Sequence, residues 1–140
     1  MFTNSCIFCK IIDGRVKTNK VLENDKLIAI MDIRQALPGH ILVIPKIHIE
    51  TIFELDHETG AHMMKSIIDL SKAVKDAFDA EGLNIWQSNG KCASQEVPHL
   101  HFHIHPRKSG DGLLSMYTHK PDQPSDEVLG IYAEKIKLYL

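Results

Sequence analysis

Residues 99–106 read HLHFHIHP, an octapeptide in which imidazoles alternate with Leu100, Phe102 and Ile104 and a proline closes the run. In an extended chain successive side chains point to opposite faces, so His99, His101, His103 and His105 share one side and the apolar residues share the other. Such a segment is predicted as a strand with one face in a core and the other given to chemistry. Neighbouring imidazoles on that face would stand about 6–7 Å apart, close enough to act on one substrate or ion without stacking. Pro106 is predicted to end the strand, because it cannot donate to an interior ladder. A histidine run set by composition alone does not alternate so strictly. The strand by itself leaves two chemistries open, a metal centre and an imidazole nucleophile.

The chain has 140 residues, 44% of them hydrophobic and 24% charged, which suits one globular domain with a real core. A formal net charge of −2 argues against a broad nucleic-acid or anionic-membrane surface, so any phosphate must be met by a few placed groups. No stretch approaches a membrane span of roughly 18 apolar residues. Cys6 and Cys9 form a CxxC and Cys92 stands alone. An odd count with one close pair fits a metal clip in a reducing compartment better than a disulfide framework. The alternative, a redox-active pair, belongs between a strand and a helix in a βαβ pattern, and none follows Cys9. The expectation is a soluble cytoplasmic protein.

Along the chain, residues 10–13 read as a short turn closed by Gly14. Residues 21–23 and 27–31 read as two strands joined at Asn24-Asp25, and 40–45 (HILVIP) as a third, buried strand. Thr51 and Glu54 have capping-box spacing. A long helix is predicted over 57–81, with Met64, Ile67, Ile68, Val74 and Phe78 on its apolar stripe and Gly82 as its stop. A fourth strand over 83–89 hands on to the histidine strand through the polar loop 90–97. Residues 108–125 read as loop, and a terminal helix over 126–140 would pack on the domain or a partner. The class is α+β, one domain over 1–140 on an antiparallel sheet, with its motifs in 5–107.

The order CIFCKI, MDIRQALPGHILVIPKIH, QEVPHLHFHIHPR resembles the Hint branch of the histidine triad superfamily across residues 5–107. That resemblance implies a five-stranded antiparallel sheet with helices and a homodimer; the apolar excess of the long helix and the following strand points the same way. It implies a nucleotide-binding hydrolase or nucleotidyl transferase acting at the α-phosphate of nucleoside phosphoramidates or dinucleoside polyphosphates. His101 would be the nucleophile that becomes a nucleotidyl-histidine, His103 would stabilise charge on the phosphate, and His40 would orient the rings. Asp32 would take the ribose hydroxyls, Ile33 and Phe8 would lie against the base, and Asn89 would belong to the same pocket. Gln95, with the backbone of Ser94 and Glu96, would hold the phosphates.

Three departures stand out. Ser94 replaces the usual glycine, Glu96 replaces a serine of some relatives, and His105 replaces an aliphatic residue. Uridylyltransferase relatives hold metal at positions matching Cys6, Cys9, His48 and His99, which implies one structural zinc per chain. A competing reading keeps the triad but makes the protein a nucleotide-responsive binding module with incidental turnover.

Overall fold

The computed structural model describes residues 5–113 and 121–140. Five strands, β1 (Lys20–Glu23), β2 (Leu27–Met31), β3 (Ile41–Pro45), β4 (Gly82–Trp86) and β5 (Phe102–Arg107), form one sheet in the order β1-β2-β3-β5-β4. Every pairing is antiparallel, as expected from the sequence. The β1–β2 turn is made by Asn24, whose Oδ1 accepts the backbone N–H groups of Lys26 and Leu27 at 2.9 and 3.0 Å.

Helices cover both faces of the central strands. Leu27, Ala29, Ile41, Val43, Leu100 and Ile104 pack under Met63, Ile67, Leu70 and Val74 of α2 (His57–Ala77). Ile28, Ile30, Leu42 and Ile44 point the other way, toward Phe8, Cys9 and Ile11 of α1 (Ile7–Ile12). Two buried faces explain why β2 and β3 carry apolar residues without alternation.

Several boundaries differ from the sequence reading. The predicted turn after the CxxC is helix α1: Cys6 caps it, its Sγ accepting from the Cys9 N–H at 3.5 Å. On α2 the buried stripe is Met63, Ile67, Leu70 and Val74, while Met64 and Ile68 face solvent. Of the predicted stripe Ile67 and Val74 are buried as expected, Phe78 is exposed like Met64 and Ile68, and Met63 and Leu70 complete the face that meets the sheet. The helix also stops before Gly82, which opens β4: Asp79 takes the left-handed conformation at φ 49° and the chain turns there. Pro106 lies inside β5 opposite Leu83, past the last β3 pair, where the strand has a neighbour on one side only. Residues 87–89 leave β4, because Asn89 turns to cap the turn Ile52–Glu54 through its Oδ1, which accepts the Ile52 N–H at 2.8 Å.

The terminal helix α3 (Asp126–Lys137) is capped by Ser125 and buries no residue, so its apolar side chains remain exposed. The loop predicted over 108–125 runs partly outside the described residues, at 114–120. Gly39 shows what the predicted Pro38-Gly39 turn requires. Its φ is +104°, and a Cβ there would fall 2.4 Å from the Phe78 ring, so the turn and the end of α2 close on each other only through glycine.

Candidate active site

The register of β5 places its imidazoles on the α1 side of the sheet, away from α2. His103 sits opposite Leu42 on one neighbour and Trp86 on the other. His99 and His101 precede the ladder, and this stretch is anchored by the Leu100 N–H donating to the Ile49 carbonyl at 2.7 Å. The rings lean together more than an ideal strand allows: His101 and His103 have centroids 5.0 Å apart.

Each ring has a tautomer dictated by its partners. His101 Nδ1 lies 2.7 Å from the His99 carbonyl, and a carbonyl only accepts. The proton is therefore on Nδ1, and Nε2 keeps its lone pair. Burial lowers the pKa of His101 and favours this neutral form. His40 donates from Nδ1 to the Arg34 carbonyl at 3.0 Å, which makes its Nε2 the acceptor for His103 Nδ1 at 2.9 Å. In the neutral relay His103 Nε2 carries no proton. One added proton, whether on His40 or on His103, puts an N–H there. Burial pushes His103 down to about 4 and also lowers His40. A phosphate placed against His103 would oppose that shift.

His101, His103 and His40 line a cavity of about 600 Å³ together with Asp32, Ile33, Phe8, Ser94 and Glu96. Phe8 meets the His101 ring edge-on at 5.1 Å. Ile33 is 96% exposed at the rim. Asp32 accepts the Arg34 N–H at 2.7 Å, and its other oxygen lies 3.5 Å from His40 Nδ1. Ser94 is left-handed at φ 62°, which is the physical reason a glycine suits that position.

Two predicted residues are not brought to the cavity wall. Gln95 braces its loop, accepting the Gly90 N–H at 2.7 Å and donating to the carbonyls of Glu50 and Val97 at 2.7 and 3.1 Å. Asn89 spends its amide on Ile52 and Gln87, and its neighbour Ser88 lines the cavity instead. The sequence reading missed Trp86, whose ring stacks on His103 at 5.1 Å and 21°. The signal was available once β4 was paired with β5, because Trp86 falls opposite His103. It also missed the side chains of Arg34 and Lys17, which line the cavity from loops. His105 donates from Nδ1 to the Pro106 carbonyl at 2.9 Å and stacks on Trp86 at 5.5 Å, behind the relay.

Cys6, Cys9, His48 and His99 converge on one point, each offering a donor atom within 4.8 Å of the others. Cys6 Sγ and Cys9 Sγ lie 3.4 and 3.7 Å from His99 Nδ1, Cys9 Sγ lies 3.3 Å from His48 Nδ1, and the two Nδ1 atoms are 3.2 Å apart. A tetrahedral ion with metal–nitrogen bonds of about 2.0–2.1 Å and metal–sulfur bonds of about 2.3 Å spaces its donors about 3.3–3.8 Å apart. The set fits. His99 Nε2 donates to the Pro45 carbonyl at 2.9 Å, leaving Nδ1 as the ligand atom. A second cluster, Asp32, His40 and His103, also has close donor atoms. There the hydrogen-bonded relay already occupies both ring nitrogens of His40.

Because the folded protein holds His103 and His40 below the ordinary imidazole value, the unfolded chain takes up protons first as pH falls. Their stabilising effect is complete above about pH 6.5 and is lost through about pH 4, so the thermal midpoint should fall over that window. His103→Asn should flatten the fall, and an unchanged slope in differential scanning calorimetry would refute this assignment.

The HIT domain family matches residues 13–110. A HIT family protein of Bacillus subtilis, known from its crystal structure, is 38% identical, superimposes with a TM-score of 0.90 and is covered over 97% of each chain. The adenosine 5'-monophosphoramidase of Schizosaccharomyces pombe is 43% identical over 87% of this chain and 90% of its own. A zinc-bound histidine triad family protein of Mycobacterium smegmatis is 36% identical with a TM-score of 0.74, over 84% of each chain. By its match to the family, its fold and its run of alternating histidines, the chain belongs to the HIT domain family.

Proposed function

We propose that the protein is a nucleotide hydrolase or nucleotidyl transferase that cleaves the α-phosphate of nucleoside phosphoramidates or dinucleoside polyphosphates. The observation that carries this reading is the lone pair that the His99 carbonyl leaves on Nε2 of His101, a ring that lines the cavity beside a second imidazole, His103. Nε2 attacks the α-phosphorus, the bond to the leaving group breaks, and its electron pair departs with that group, which takes up a proton. Water then attacks the phosphorus, loses a proton and displaces His101, which recovers its lone pair. His103, protonated through the relay, donates from Nε2 to a phosphate oxygen as charge builds there. Asp32, Ile33 and Phe8 hold the nucleoside, and the loop bearing Ser94, Gln95 and Glu96 shapes the phosphate end. The likeness to the phosphoramidase supports the substrate class.

His101→Gly should lower turnover of a fluorogenic adenosine phosphoramidate by at least about a thousandfold while adenosine monophosphate still binds, because a covalent step is lost and not a contact. Wild-type turnover in the variant would remove His101 from the mechanism. Nucleotide binding without turnover by the wild type would favour the competing reading, a nucleotide-responsive binding module.

Cys6, Cys9, His48 and His99 would hold one structural zinc. With all four positions supplied by these residues, such an ion would serve to tie the N-terminal segment to the chain leading into β5 and not to activate water. Thiolate ligation suits the reducing cytoplasm. Untagged protein should contain about one zinc per chain, and Cys6→Ser with Cys9→Ser should lose it and lower the melting temperature. Metal-free wild type purified without chelators would refute the site.

The protein is further read as a homodimer. Met64 and Ile68 on α2 and Ile85 on β4 are exposed apolar residues, and β4 is an edge strand. Sedimentation at micromolar concentration should give twice the chain mass, and a monomer would exclude this association.

A further inference from the structure

Arg34 and Glu96, 62 residues apart in sequence, meet at the cavity rim: Arg34 Nη1 donates to both carboxylate oxygens of Glu96, at 3.1 and 3.0 Å. Both side chains line the same cavity as His101, and both are largely exposed, at 76% and 72%. An ion pair so exposed contributes little to stability, so the fold does not depend on it and it opens at little cost. Its position gives it something else to do. The Arg34 backbone is held from two sides, its N–H donating to Asp32 Oδ1 at 2.7 Å and its carbonyl accepting from His40 at 3.0 Å. The guanidinium thus stands exposed at the rim on a root tied to the histidine relay. Charges around the cavity balance as they stand, with Lys17 and Arg34 against Asp32 and Glu96. Freed from Glu96, Arg34 would offer a forked donor to phosphate.

We propose that Glu96, by engaging Arg34, is a specificity-determining residue that keeps the cavity rim neutral and so favours nucleotides with an amine leaving group over those with a polyphosphate one. The proposal rests on the nucleotide reading above and names the leaving group within it. A polyphosphate beyond the α-phosphate brings several negative charges to the rim, where Arg34 attracts them and Glu96 repels them; a neutral amine feels neither strongly. The preference therefore follows the net rim charge, and removing either partner should move it in opposite directions.

The test uses the full chain and two ratios. The first is the affinity for ATP over AMP without divalent ions, and the second is kcat/KM for diadenosine tetraphosphate over adenosine phosphoramidate. Glu96→Gln should raise both ratios about five- to tenfold, the effect of one unit charge on a multiply charged chain near water. Arg34→Gln should lower both, the double variant should return near wild type, and added salt should shrink every difference. Ratios that stay constant in both single variants, or that move together in the same direction, would overturn the proposal. Loss of stability or activity shared equally by all substrates leaves the ratios constant and counts against it as well. A wild type that turns over neither substrate but shows the predicted affinity pattern would overturn hydrolysis and leave the rim assignment standing. No measurable affinity for either nucleotide would overturn both.

Discussion

The bond from His101 Nδ1 to the carbonyl of His99 is the interaction on which the rest of the site depends. It spans two residues of the segment leading into β5, and it decides which nitrogen of the central imidazole carries the proton. A ring freed from this bond would be able to exchange tautomers and carry its proton on Nε2 instead. The same residue, His99, holds the donor cluster through its ring, with Nε2 on the Pro45 carbonyl and Nδ1 facing the cysteines. Ring and carbonyl of one residue thus connect the Cys/His cluster to the tautomer of His101. A ligand set that immobilises His99 would immobilise the acceptor of the bond beside it.

Burial acts on this site in two opposed ways. Desolvation favours the neutral forms of His101, His103 and His40, which preserves the lone pair that the proposed attack would use. The same desolvation withholds the proton that His103 would need to act as the proposed donor. The relay reconciles the two demands: His40 and His103 share one hydrogen bond whose polarity can reverse, so a single proton arriving with an anionic ligand serves at His103 Nε2. Trp86 stacks on His103 and on His105, so the relay rings are packed against further aromatic rings. At the rim the balance changes, because Arg34 and Glu96 stand in water, where their attraction is weak and their charges remain available to a ligand.

The alternation of residues 99–105 was enough to predict a strand with a core face and a chemical face. Leu100 and Ile104 are wholly buried against α2, and the histidines are on the other side. The antiparallel sheet, the Asn24 turn and the near-continuous apolar character of β3 were legible for the same reason: each is a local pattern with a local cause. The α2 stripe was read correctly at Ile67 and Val74 and misread at Met64, Ile68 and Phe78. Met64 and Ile68 have the same helical spacing as Met63 and Ile67, and only the sheet beneath decides which of two adjacent stripes is buried. Asn89 and Gln95 show a different limit. Their amides satisfy backbone groups in neighbouring loops, and which amide serves structure depends on contacts between segments distant in the chain.

By itself the sequence determined the facing of the imidazoles, because the period of an extended chain is two whatever surrounds it. It also determined the presence of a close cysteine pair and a formal net charge of −2. Tertiary structure alone decided the protonation pattern, since tautomers follow from acceptors that folding supplies: the Arg34 carbonyl for His40, the Pro45 carbonyl for His99. It decided that Trp86 belongs to the site, because cross-strand neighbours are set by register. It decided too that Arg34 meets Glu96, a contact across 62 residues that no local pattern encodes.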